Sequence, residues 1–195
     1  MMDVRPVTLE GEHARLEPVS RAHVDGFLRA GAFDEIWTWF PIHPKTREDY
    51  ERWVDGSLAA LDGGADLAFA IIERASGDVV GGTSLLAISV HNRRVEIGGT
   101  WLTPRVQRTA INTECKYLLL RHCFETLGCL RVELKTDARN LNSQRAIERI
   151  GATREGTFRK HSLSQHGVQR DSVYFSVIDD EWADVKRRLE AMLAR

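Results

Sequence analysis

The sequence predicts an α/β protein with a mixed, predominantly antiparallel central sheet, one parallel strand pair, and helices on both faces. Three observations carry this prediction. Amphipathic helical stretches and short apolar strands follow one another along all 195 residues. Hairpin signals flank the middle of the chain, at Ser76-Gly77-Asp78 and beyond Thr153. Between them, a strand at 95–103, a helix, and a strand at 131–137 make one βαβ unit, the place where neighbouring strands are expected to run parallel.

The elements follow in order. His13–Val19 alternates weakly and reads as a first strand, at an edge because of Pro18. Ser20 is an N-cap for a helix with Val24, Phe27 and Leu28 on one face. Asp34–Phe40 is a short aromatic helix or turn stopped by Pro41. Thr46 with Asp49 opens a helix to about Asp62, ended by Gly63-Gly64. Leu67–Glu73 and Val79–Val90 are strands joined by a tight turn, and Gly81-Gly82 marks a bulge in the second. After the strand at 95–103, broken at Pro104, a helix is expected from about Asn112 to Leu127, with Gly128 as its C-terminal residue. Ser143–Ile150 reads as a short helix ended by Gly151. Thr153–His161 and Val173–Ile178 read as a last antiparallel pair joined by the polar segment Ser162–Asp171, which holds His166. A final helix spans Asp179 to Leu193.

Composition bounds the function. The chain is 43% hydrophobic and 28% charged, and no linker or repeat divides it, so residues 1–195 are expected to form a single domain. A net charge of -1 lacks the basic excess that a nucleic-acid binder carries. No apolar run reaches the ~18–20 residues of a membrane span, and no signal peptide precedes Met1–Pro6. Cys115, Cys123 and Cys129 form no C-x-x-C pair, which argues for reduced core thiols rather than a metal site. Together these point to the cytoplasm, without nucleic-acid or membrane partners.

The chemistry concentrates between Val95 and Gly151. Two strands each feed a helix N-terminus, and the first entry, Gln107-Arg108-Thr109-Ala110-Ile111-Asn112-Thr113, offers small residues with open backbone N–H groups. Such a start suits a pyrophosphate. The second entry is Asn140 to Ala152. The 107–112 turn resembles the (Q/R)-x-x-G-x-(G/A) signature of the GNAT acyltransferase superfamily, and 140–152 resembles its N-x-x-(A/S) segment. Glu155-Gly156, Phe158-Arg159, Arg170-Asp171 and Tyr174-Phe175-Ser176 look like its last two strands. The resemblance runs from Thr8 to the last helix and is nearest to the RimJ/RimL-like N-acetyltransferases.

That resemblance implies a GNAT-like fold in which the parallel pair splays, with acetyl-CoA as acetyl donor, no metal, and a primary amine as acceptor attacking the thioester directly. The pantetheine arm would sit between the splayed strands, bonded to backbone near Trp101, Leu102 and Thr103 and to the side chain of Asn140. Residues 107–113 would hold the pyrophosphate and Arg149 the 3'-phosphate, with a solvated helix face as the other reading of Arg149. Glu96 is the candidate base; otherwise it is an outward carboxylate paired to Arg93 or Arg94. Glu133 and Asp137 are weaker base candidates. Ser143 is either a thiolate stabiliser or proton donor, or a simple cap. Trp37, Trp39, Phe40 and Tyr50 would wall the acceptor pocket, or else pack as core; Trp37 and Trp39 are two apart, so one is expected to face a cleft.

Three departures matter. Ala110 and Asn112 stand where the family has small glycine-type positions; alanine resists positive φ, and Asn112 competes for donors as a cap. Ile147 stands where many members carry a tyrosine acid. They keep open a second reading, a catalytically silent CoA-binding module. Deprotonating a lysine acceptor at pH 7 costs roughly 4 kcal/mol against about 1 for an α-amine, so an α-amine acceptor needs only a weak base. The acceptor, a protein N-terminus or a small molecule, stays open at this stage, and the last strands suggest a homodimer contact.

Overall fold

The computed structural model describes residues 2–163 and 167–194. Its strands are β1 (Leu9–Glu10), β2 (Ala14–Pro18), β3 (Leu67–Glu73), β4 (Val79–Ser89), β5 (Arg94–Leu102), β6 (Arg131–Asp137), β7 (Thr153–Leu163) and β8 (Gln169–Ile178). They form one sheet in the order β1-β2-β3-β4-β5-β6-β8-β7. Every neighbouring pair is antiparallel except β5 with β6, as the sequence predicts. The helices are α1 (Val24–Ala30), α2 (Arg47–Asp62), α3 (Ala110–Arg121), α4 (Leu141–Arg149) and α5 (Trp182–Leu193).

Two cores lie on opposite faces of the sheet. One packs α3, α4 and α5 through Cys115, Leu118, Leu119, Ile147 and Leu189 onto Phe69, Ile71, Val95, Ile97 and Phe175. The other packs α1 and α2 through Phe27, Tyr50 and Val54, with Trp37, onto Ala68, Ala70 and Trp101. The hydrophobic alternation of β3–β5 feeds both layers. Trp101 belongs to the second core, 5.1 Å from Trp37 and 5.9 Å from Phe27 between ring centroids. The β4 strand is bare opposite it. A Cβ on Gly81 would stand 2.1 Å from the Trp101 carbonyl oxygen, and one on Gly82 3.0 Å from its Nε1. The expected irregularity at these glycines is present, as register shifts on either side of them.

Several boundaries depart from expectation. The central helix begins at Ala110 rather than Asn112, because Thr109 Oγ1 accepts from the Ile111 N–H at 3.3 Å and makes Thr109 the N-cap. It ends as α-helix at Arg121 and finishes in a π-helical turn over His122–Thr126 before Gly128, whose φ is +64°. The short helix begins at Leu141, since Asn140 Oδ1 caps the N–H of Ser143 at 3.1 Å; Ser143 itself is not the cap. The polar connection expected from Ser162 is shorter. A bulge at Lys160 (φ +51°) lets pairing resume at Ser162 with Arg170 and Leu163 with Gln169. His166 lies outside the described residues.

A buried carboxylate ties the sheet edge to α3. Glu114, 5% exposed, accepts from the N–H groups of Glu12 (2.8 Å), His13 (2.7 Å) and Ala14 (2.6 Å). Glu114→Gln swaps one acceptor oxygen for a donor facing donors. It is expected to cost about 2–4 kcal/mol and lower Tm by roughly 5–10 °C; an unchanged melting curve contradicts the role.

Candidate active site

β5 and β6 pair only over Arg94–Arg131, Val95–Val132 and Glu96–Glu133. Beyond Glu96 they part. β5 stays with β4 as far as Leu102, and the Thr103 N–H donates to Val80 O at 2.8 Å. β6 stays with β8 as far as Asp137 opposite Ser172. Gly99, at φ +59°, turns β5 at the parting point, a conformation that glycine adopts at low cost. The opening is a cavity of ≈ 850 Å³ whose wall includes Gly98, Thr100 and Leu102 of β5, Thr136 of β6, Asn112 and Lys116 of α3, and Asn140, Ser143 and Ile147 of the α4 region.

Of the backbone positions expected to meet a pantetheine arm, Thr103 turns its N–H to β4. Strand alternation turns the Leu102 peptide groups to the open side, where Gln107 Nε2 donates to the Leu102 carbonyl at 3.0 Å. Trp101 lines the cavity and buries its side chain in the second core. Asn140 lines the cavity; its oxygen is committed to the helix cap, which leaves its amide N–H groups for a ligand.

At the start of α3, no hydrogen bond among the described residues consumes the N–H of Arg108 or Thr109. The first N–H groups of a helix have no intrahelical partner. Positive φ falls on Arg108 (+63°), not on Ala110, which is already helical. Alanine is therefore no obstacle at that position. Asn112 points into the cavity rather than capping. Arg149 donates to Thr113 Oγ1 at 3.0 Å, so it reaches across from α4 to the first turn of α3.

Glu96 is 4% exposed and is not an outward carboxylate. Arg94 pairs with Glu133, and Arg93 Nε donates to Gly128 O. Glu96 Oε2 instead accepts from Lys135 Nζ at 2.7 Å, across the last turn of contact between β5 and β6. Its Oε1 faces Gly98, where a Cβ would come within 2.7 Å, and has no partner among the described residues. Glu133 is held by Arg94 and Arg131, and Asp137 by Arg139, whose guanidinium hydrogen bond pulls the Asp137 carboxyl below its usual range despite burial. Glu133 takes both cations on Oε1, and neither Glu133 nor Asp137 lines the cavity as Glu96 does.

Trp37, Trp39, Phe40 and Tyr50 all line the cavity. Trp37 and Tyr50 are 3% and 1% exposed and belong to the core, with Trp37 Nε1 donating to Gly31 O at 2.8 Å. Trp39 and Phe40 are half-buried, and the Arg139 guanidinium lies 5.3 Å above the Trp39 ring. Among the described residues, no cluster of three or more His, Cys, Asp or Glu could hold a metal ion, and no helix is long and apolar enough to cross a membrane.

Lys116 was not foreseen. It sits on the buried stripe of α3, one turn beyond Asn112, 7% exposed, with Nζ donating to Thr100 Oγ1 at 2.7 Å. Thr100 Oγ1 in turn meets Thr83 Oγ1 at 2.8 Å. A lysine next to Cys115 and one turn before Leu119 and Leu120, on the buried side of the helix, was the available signal.

Comparison with known proteins gives the class. The acetyltransferase (GNAT) domain profile matches residues 13–153, and the chain belongs to that family; it is an acetyltransferase. YdaF of Bacillus subtilis (strain 168), provisionally named a ribosomal N-acetyltransferase, is 29% identical over 155 residues, covering 77% of this chain and 80% of its own. The crystal structure of a GCN5-related N-acetyltransferase from Brucella melitensis superposes with a TM-score of 0.91 at 34% identity, over 97% of this chain and 86% of that one. RimJ of Mycobacterium smegmatis, in complex with CoA-disulfide, shares the fold at a TM-score of 0.84 and 21% identity, over 96% and 95% of the two chains.

Burial pushes the Lys116 ammonium down to about 8 from 10.5. The unfolded chain then binds more protons between pH 8 and 10.5, so wild-type stability rises with pH through that window and carries the full penalty below it, about 3 kcal/mol. Lys116→Met is expected to be more stable than wild type at pH 7 by up to about that amount, with the gain vanishing as pH approaches 10.5. Urea unfolding at several pH values checks the sign.

Proposed function

We propose that the protein transfers an acetyl group from acetyl-CoA to a primary amine by direct attack, with Glu96 as the base. The observation that carries this reading is the parting of β5 and β6 at Glu96, where a buried carboxylate with one free oxygen borders a cavity that reaches the open N–H groups of α3.

The donor half follows from chemistry. A pyrophosphate at Arg108–Thr113 meets unspent amides and the positive end of a twelve-residue helix, with Arg149 close to Thr113 for a further phosphate. The pantetheine arm then fills the gap as an extra strand. The open Leu102 peptide groups and the Asn140 amide meet its amides, and the thioester reaches Gly98–Thr100. RimJ of M. smegmatis, whose complex holds a CoA derivative, lends support as a relative in fold.

On the acceptor half, Glu96 Oε1 takes a proton from the incoming ammonium while Lys135 fixes the other oxygen. Trp39 and Phe40 flank the approach. Ser143, on the opposite wall, has its hydroxyl available to donate toward the sulfur, since its cap role is carried by Asn140. A protein N-terminus fits the reading best: its amine is half-deprotonated near pH 8, and YdaF carries a ribosomal name. The silent-module reading loses support at Ala110, whose helical conformation leaves its N–H usable.

Two variants test the halves separately. Glu96→Gln is expected to lower kcat by ~10²–10³-fold with acetyl-CoA affinity kept, measured by thiol release with a panel of N-terminal peptides and small amines; undiminished turnover sinks the base assignment. Asn140→Asp preserves the cap oxygen but removes the amide donors. It is expected to weaken CoA binding ~10-fold by calorimetry at unchanged Tm, and full affinity rejects the pantetheine placement.

A further inference from the structure

We propose that Lys116 is the cation that receives the leaving sulfur of coenzyme A and supplies the proton that turns the thiolate into a thiol. The inference rests on the acyl-transfer reading above and assigns a residue that reading does not use. Three observations carry it. Lys116 Nζ lies in the same cavity as Glu96 and Ser143, reaching it from α3 beneath the sheet. It is bonded to Thr100, four residues past the last paired position of β5, where the strands are already apart and the thioester is placed. Its burial is not matched by a carboxylate: among the described residues no ion pair includes Lys116, and one threonine hydroxyl is its hydrogen-bond partner, although an ammonium has three donors.

The neighbouring charges are committed elsewhere. Glu114, two residues before it on α3, is turned to the amides of Glu12, His13 and Ala14. Glu96 is held by Lys135 across the cavity, and Arg149 of α4 is spent on Thr113. Cys115 is buried and its thiol pushed up to about 12, so it stays neutral. Thr83 and Thr100 offer hydroxyls only. A buried cation without a counter-ion is costly, and it is retained where an anion forms during turnover. The thiolate is such an anion.

The step balances. The neutral amine attacks the carbonyl carbon, the C–S bond breaks, and the electron pair goes to sulfur. The Lys116 ammonium gives its proton to sulfur, leaving a neutral lysine and a thiol. The proton lost by the attacking amine passes to Glu96 and then to solvent, and lysine regains one from water. A lysine held near 8 is well matched to a thiol of ordinary acidity, near 8.5. Ser143 can orient the sulfur but cannot neutralise it. Ile147, where a tyrosine acid would stand, cannot do either.

The test compares CoA with desulfo-CoA, in which hydrogen replaces the thiol, by calorimetry at pH 8.5 on wild type, Lys116→Met and Lys116→Arg. Wild type is expected to bind CoA ~10-fold more tightly than desulfo-CoA. Lys116→Met should bind the two alike, with the wild-type desulfo affinity, and the ultraviolet band of bound thiolate should be lost. Lys116→Arg should restore the sulfur preference but not turnover, because guanidinium does not give up its proton. In kinetics, Lys116→Met should lower kcat ~10–100-fold with KM for acetyl-CoA within about twofold. Equal binding of CoA and desulfo-CoA by wild type, or a sulfur preference kept in Lys116→Met, overturns the assignment while leaving the donor site intact. Failure of wild type to bind either ligand overturns the donor reading and this inference with it. A preference for succinyl-CoA over acetyl-CoA that Lys116→Met abolishes would overturn it too, by assigning the cation to the acyl group.

Discussion

The parting of β5 and β6 is the constraint on which the rest of the molecule depends. Three residue pairs hold the strands together, and then each is claimed by its other neighbour, β5 by β4 and β6 by β8. Sheet twist alone separates strands that have lost their shared ladder, and Gly99, in the left-handed region, turns β5 three residues past the last shared pair. Exposed peptide groups inside a protein need partners. A sheet that leaves such an edge in its centre is built to be completed by something with amides of its own.

Charge is arranged around that opening by pairing rather than by excess. Glu96 has Lys135, Glu133 has Arg94 and Arg131, and Asp137 has Arg139. Each acid thus has a partner that fixes it in direction, and of the three only Glu96 lines the cavity. Lys116, like Arg170, lines the opening with no ion pair among the described residues, and it lies on the face that these three acids do not share. In the proposed reaction, the base for the acceptor and the cation for the leaving group would fall on opposite faces of a single sheet.

Much of the fold was legible in the sequence, because periodicity and turn chemistry are local. The order of strands and helices, the parallel pair, the capping pair Thr46–Asp49 and the glycines at 81 and 82 could all be read directly. The two helix starts differ from the expected ones for a shared reason. Thr109 and Asn140 each lie one or more residues ahead of an equally good capping residue, Asn112 and Ser143, and local chemistry does not choose between them. Around the cavity the sequence offers lining residues such as Glu96 and Asn140, but not the partners they meet. That Glu96 meets Lys135 depends on a register between strands 39 positions apart, and Glu114 meets Ala14 across 100. Long-range pairings leave no periodic trace. Lys116 left one, a charge next to Cys115 and one turn before Leu119 and Leu120, which the strong flanking helix pattern masked.

The second core has a further consequence. Apart from Trp101, its buried members come from Val19 to Ile72, one uninterrupted stretch that also carries Trp37, Trp39, Phe40 and Tyr50. The groups assigned to the nucleotide tail lie later, beyond Pro104, on the other face. Such a molecule can diversify by exchanging an early cassette of sequence while its later half is inherited intact, so that new clients arise from one ancestral engine. Trp101, the single later residue built into that early layer, is the hinge of compatibility between the two inheritances.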